Sequence, residues 1–243
     1  MRIILFIISC CLFVYSCTAG SGRLRDVDNI IDISAVNKKK PVTFDNAREI
    51  IDKFSSSFQI PNPLYGSNES ITRKADPNHE NIILCKATLL DDFSTEADIL
   101  NQCRKDSLDE QSCHELRERY VGQYIRNGMF RIRISLESGF SAKSMEPDLW
   151  AMYIENSSGI MIEPSDITVS EITALEDTVY SDYHVIHLQR NVMLRDITLY
   201  FKRTTFFGED LFGKGNPYIV FVMSHKRKTV ARIAWNISGS LNN

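Results

Sequence analysis

Glycine and proline are scarce in this chain of 243 residues, at 11 and 7, which excludes a collagen-like or low-complexity polymer. No sign of charge dominates. The 28 Lys and Arg stand against 31 Asp and Glu, giving a formal charge of −3 and a pI near 6.0, so the global positive field expected of a nucleic-acid binder is missing. No apolar run reaches the ~20 residues that cross a bilayer core. None of the three cysteines in the body of the chain has a second cysteine or histidine at zinc-ligand spacing, and Gly-x-Ser-x-Gly is absent. What is present is 43% hydrophobic and 24% charged residues, enough apolar surface for a buried core and too much for a coiled coil or a wholly disordered chain.

The N-terminus reads as an address. Arg2 precedes an apolar run, Ile3 to Ser16, of signal-peptide length. Val14-Tyr15-Ser16-Cys17 closes it and resembles a bacterial lipobox, with Tyr15 larger than the residue usual there. The expectation is a lipoprotein signal peptide over 1–16, a diacylglyceryl group on Cys17, and a flexible tether over 17–42. Ordinary signal-peptidase cleavage after Ala19 and an uncleaved membrane anchor are the alternatives. Lys38-Lys39-Lys40 before Pro41 is read as solvated linker rather than a headgroup contact.

Of six cysteines, Cys85, Cys103 and Cys113 belong to the body. An exported chain meets oxidants, so Cys103 and Cys113, ten apart around a polar turn, are expected to pair, with two independent thiols as the alternative. Cys85 sits in an apolar run and reads as an inert buried thiol.

The periodicity changes along the chain. Residues 43–128 read as mainly helical: Thr43 to Phe54 with Thr43 as cap, a helix capped by Ser94 or Thr95 and running toward Cys103, and a helix from Cys113 to the stop at Asn127-Gly128. Ile82 to Leu90 fits strand or helix, and 55–81 reads as loop. From Met129, Phe130, Ile132, Ile134 and Leu136 alternate with polar residues, as a strand with one wet face requires. Strands are expected at Trp150–Glu155, Ile160–Glu163, Asp166–Ile172, His184–Gln189, Asp196–Lys202, Tyr218–Ser224 and Thr229–Ile237, with hairpin turns at Asn156–Gly159 and His225–Lys228. There is no room for crossover helices, so 129–243 is expected to be an antiparallel β-sandwich, immunoglobulin-like in architecture, and the chain as a whole α+β. Ile132, Ile134, Trp150, Met152, Ile154, Leu199, Phe201, Ile219, Phe221, Ile233 and Trp235 are its expected core.

Gly208 to Gly215 has P-loop spacing up to Lys214, but Gly215 replaces the magnesium-binding hydroxyl, Glu209 and Asp210 repel phosphate, and a strand follows where a helix must open. His184 and His187 point to opposite faces of one strand, and His79, His114 and His225 are scattered. Glu171, Glu176, Asp177 and Asp182 lack an EF-hand pattern. Ser138, Ser141 and Ser144 lack an identifiable histidine partner. Asn68, Asn156 and Asn236 begin Asn-x-Ser sequons. No catalytic residue, metal or cofactor is expected.

Val14 to Cys17, Lys86-Ala87-Thr88-Leu89-Leu90, and Trp150, Gly159, Glu163-Pro164 and Ala234-Trp235 in the β-rich end together resemble uncharacterised bacterial surface lipoproteins of the spirochaete type. The resemblance implies export and anchoring and supplies no catalytic residue. The expected function is therefore non-enzymatic binding or structure in the cell envelope, at the outer membrane or cell surface. The expected partners are the membrane, through the lipid anchor, and another envelope or host protein. Phe206, Phe207 and Phe212 are the candidate recognition residues, with core packing beneath a long loop as their alternative. An envelope hydrolase for sugar or ester bonds, using carboxylates brought together by folding, is the rival.

Overall fold

The alternation from Met129 becomes the central strand of one sheet, and its register places every other side chain inside. In the computed structural model, which describes residues 27–64, 82–139, 142–181 and 184–238, this strand is β4 (Met129–Ser138). Before it come β1 (Asn29–Asp32), β2 (Ser55–Pro61) and β3 (Ile82–Leu90). After it come β5 (Ala151–Asn156), β6 (Met161–Ile162), β7 (Asp166–Val169), β8 (Thr173–Ser181), β9 (His184–Lys202), β10 (Tyr218–His225) and β11 (Lys228–Asn236). The described residues are mostly β, in two open sheets ordered β1-β11-β10-β5-β6 and β2-β3-β4-β9-β7, with β8 also paired to β9. All pairs are antiparallel except β1 with β11.

The core lies between the sheets. Leu89, Ile132 and Leu199 form one inward row of the second sheet and Ala87, Ile134 and Ile197 the next, and they meet Ile154, Phe221, Ile233 and Trp235 of the first. The arrangement is consistent with a β-sandwich. All eleven residues expected in the core are buried. Buried in that core, the Trp235 indole donates its N–H to the Phe54 carbonyl at 2.9 Å and ties the last strand to the start of β2.

Helices form a partial third layer. They are α1 (Ala47–Lys53), α2 (Asp92–Lys105) and α3 (Glu110–Tyr120), the last running into a π-helical turn, Val121–Ile125. A disulfide joins Cys103 of α2 to Cys113 of α3, with Cα atoms 5.5 Å apart. The hairpin docks on the outer face of the β4 sheet through Arg131, whose side chain is 4% exposed. Its guanidinium lies 4.3 Å from the Tyr120 ring centroid and 5.8 Å from that of Tyr124, and it donates to the Thr95 hydroxyl at 3.4 Å. Beside it, Asp98 of α2 holds Arg133 at 2.8 Å, and Tyr124 stacks on Tyr200 at 4.5 Å. Burial, together with the Tyr200 hydroxyl, pushes the Tyr124 phenol up to about 12 against the pull of Arg131. Burial opposes the charge of Arg133, yet Asp98 raises its pKa further.

Several expectations need correction. The tether does not extend over 27–42: β1 pairs with β11, and Ile33 is fully buried. Four residues with Ile30 facing water carry too little pattern to be read as a strand. Besides its helices, the span 43–128 contains two strands, β2 and β3. β2, read as loop, is a serine-rich edge strand that ends at Pro61, where a missing N–H does no harm. The first helix begins after Asn46, not Thr43. The second is capped by Asp91, whose carboxylate accepts from the Ser94 N–H at 2.9 Å while the Ser94 hydroxyl accepts from the Asp91 N–H at 2.8 Å. Asp109 caps the third, and hydrogen bonds from the Ser112 side chain and N–H hold its carboxyl below the usual range. His184–Gln189 and Asp196–Lys202 are parts of one strand, β9, whose first half pairs with β8 and second half with β4 and β7. The signal peptide, Cys17, and the sequon at Asn68 lie outside the described residues.

Candidate functional site

β9 ends at Lys202 in one sheet and β10 begins at Tyr218 in the other, so the segment between them must cross the end of the molecule. It does so as a closed, hydrogen-bonded loop. Its foot is apolar and buried: Leu211 is fully covered, and the Phe212 ring meets Phe130 edge-on at 5.0 Å beneath the Arg203 guanidinium at 4.8 Å. Arg203 in turn pairs with Asp92 of α2 at 2.9 Å. Asp210 fixes the foot through its side chain and carbonyl, which accept from the N–H of Phe212 and of Gly213 respectively, both at 2.9 Å. A Cβ on Gly213 would stand 2.9 Å from that carbonyl oxygen, so the approach requires glycine.

Above the foot, the chain closes a tight turn. Gly208 N–H donates to the Thr205 carbonyl at 3.0 Å, Thr205 N–H to the Glu209 carbonyl at 2.8 Å, and Glu209 N–H to the Thr205 hydroxyl at 3.1 Å. Gly208 takes φ +82°, which an L side chain would resist. Phe206 and Phe207 sit on this turn, 99% and 75% exposed, with their rings edge-to-face at 5.7 Å. Covering them fully would release ~1.5–3 kcal/mol of transfer free energy each before association costs. Phe212 is a correction: at 3% exposure it belongs to the foot that supports the pair, not to the surface. The P-loop spacing of Gly208–Gly215 dissolves into these turns, which lead into β10.

The other chemical candidates are dispersed. The Ser138 and Ser144 hydroxyls meet at 3.3 Å, both buried, and present no exposed nucleophile. His225 contacts the Leu149 carbonyl through Nδ1 at 2.8 Å and lies against Trp150 at 5.6 Å. Asn156 is buried, so its sequon is not accessible. His184, His187, Asp177 and Glu176 fall on β8 and β9, and Asp182 and Ser141 lie outside the described residues. Cys85 is a buried free thiol, and burial pushes its pKa up. No group of three or more His, Cys, Asp or Glu among the described residues could hold a metal ion.

A groove of about 820 Å³ crosses the open part of the β4 sheet's outer face, beyond the helices. Glu137 and Asp196 lie on it as diagonal neighbours, because Ser135 pairs with Asp196. Lys86, paired with Asp52 at 2.9 Å, Lys105, and Arg195, paired with Glu146 at 2.8 Å, complete its charges.

No protein-family profile, curated protein or solved structure matches this chain. No helix among the described residues is long and apolar enough to cross a membrane.

Proposed function

We propose that this is a lipid-anchored protein of the bacterial cell envelope, of the spirochaete lipoprotein kind, whose role is to bind another protein through Phe206 and Phe207. The observation that carries the binding role is the pair itself, held outward on a hydrogen-bonded turn with a buried foot. Large apolar side chains this exposed are ordinary when scattered; two adjacent ones on a constrained tip mark a recognition surface. An immunoglobulin-like sandwich is the architecture that suits the role, since its loops gather at the two ends of packed sheets. The anchor rests on Cys17 at the end of the apolar leader.

The rival hydrolase would have to draw on Glu137 and Asp196. Asp196 is exposed on an open sheet face, which favours the binding role.

Metabolic labelling with a palmitate analogue tests the anchor: the native chain takes up label and Cys17→Ala does not. A photo-reactive phenylalanine analogue at position 206, in the protein within its own envelope, tests the surface. A discrete cross-linked adduct that Phe207→Ser abolishes supports it. Equal, diffuse labelling from 206 and from the exposed control position Glu163 overturns it.

A further inference from the structure

The turn between β10 and β11 is tight and basic. β10 and β11 are joined by two residues, Lys226 and Arg227, with φ of 47° and 68°. Two successive left-handed residues define a type I′ hairpin, a place for Asn-Gly, where lysine and arginine carry backbone strain. Strain of this kind persists where the surrounding structure over-determines it, and it concentrates at functional positions. Here His225, against Trp150 and the Leu149 carbonyl, seats the turn. Lys226, Arg227 and Lys228 are all exposed, and none forms an ion pair among the described residues.

From this, and resting on the anchoring proposed above, we propose that the Lys226–Lys228 turn contacts an anionic lipid surface, the one to which Cys17 is moored. The topology places the two together. β1 runs parallel to β11 and starts beside the middle of that strand, so Val27 and Asp28 lead back toward the end where β11 begins. Asp28 N–H donates to the Arg232 carbonyl at 2.9 Å, four residues from Lys228, or ~13 Å along the strand. Ten residue steps lead from Cys17 to Val27 and span at most ~36 Å, so the turn stays within tether reach of the surface.

Carboxylates near this end are largely engaged. Asp28 accepts from the Arg232 N–H at 2.6 Å and Glu155 pairs with the Arg232 guanidinium at 2.8 Å, while Asp148 is exposed. Lys38, by contrast, is tied to Asp91 at 2.6 Å, at the opposite end. That far end, ~27 Å away along the eight residues of β10, also carries Phe206 and Phe207. Contact through the basic turn therefore points the phenylalanines away from the membrane.

Co-sedimentation of the full chain with vesicles tests the contact, comparing pure phosphatidylcholine with phosphatidylcholine containing 30% phosphatidylglycerol. The leader is common to every variant and cancels in the ratio of the two affinities. Each cation near the surface contributes roughly fivefold, so three give a preference on the order of a hundredfold for the anionic vesicles, lost at high salt. Lys226→Asn with Arg227→Gly removes two charges and supplies the residues the turn favours. The variant should melt higher than the native chain while its preference falls to roughly fivefold. An unchanged preference in this folded variant, or a native chain that does not discriminate between the vesicles, overturns the proposal. Adhesion through the phenylalanines would give the second result. Failure of the palmitate labelling would instead remove the anchor and leave the vesicle ratio as measured.

Discussion

Replacing Arg131 separates what its charge does from what its shape does. The guanidinium is sealed between α2 and α3 and the outer face of the sheet, 4.3 Å from the Tyr120 ring, with Thr95 as a hydrogen-bond partner and Asp98 at 4.0 Å. Arg131→Ala removes a desolvated cation–π contact worth ~2 kcal/mol and leaves a hole under the helical hairpin. Breaking a buried pair usually costs ~3–5 kcal/mol because the partner is stranded. Asp98 is not stranded, since Arg133 stays at 2.8 Å, so the expected loss lies at the low end, about 3 kcal/mol. Arg131→Met keeps most of the volume and abolishes the cost of burying the charge, so it should stay within ~1.5 kcal/mol of the native chain. Urea unfolding followed by fluorescence of Trp150 and Trp235, both in the core, measures these losses, with far-ultraviolet dichroism reporting the helices alongside. Equal losses for Ala and Met would refute the argument that packing between the tyrosines, more than charge, holds the hairpin down.

Phe206→Ser with Phe207→Ser should leave stability within ~0.5 kcal/mol, whereas Phe212→Ala should cost ~3–5 kcal/mol, as read by thermal unfolding. Removing the Cys103–Cys113 bridge with a double Cys→Ser variant should cost ~3 kcal/mol, from the entropy of reopening its short loop. The Cys85 thiol is held protonated in the folded chain, so the unfolded chain ionises first as pH rises past the ordinary value of 9.0, and stability falls. The native chain should lose ~1.4 kcal/mol per pH unit there relative to Cys85→Ala, measured by urea unfolding between pH 9 and 11.

The elements legible in the sequence are those whose pattern outlasts their neighbours. β4 declares itself through four alternating apolar residues, and β10 and β11 through their own hydrophobic content on either side of a polar turn. β1 and β2 do not, because edge strands expose much of their length and carry little apolar pattern. The cap of α2 is misread because Asp91, Asp92, Ser94 and Thr95 all suit the position, and the end of β3 at Leu90 decides among them. β9 reads as two strands because Arg190, Asn191 and Arg195 interrupt its pattern, while its two halves are held by different partners, β8 and β4.

The proposed recognition surface is half legible for a similar reason. Three phenylalanines within seven residues are equivalent in hydropathy, and the hydrogen bonds made at Thr205 and accepted by Asp210 sort two to the tip and one to the foot. The basic turn is visible as a turn, but its position relative to the proposed anchor is not. That position depends on β1 lying beside β11, a pairing across some 204 residues in which Asp28 answers Arg232. Local pattern carries no trace of such a contact. The same pairing gives the molecule its polarity: β1 starts beside Arg232 and leads back toward three exposed cations, and the two exposed phenylalanines stand at the far end of the same sheets.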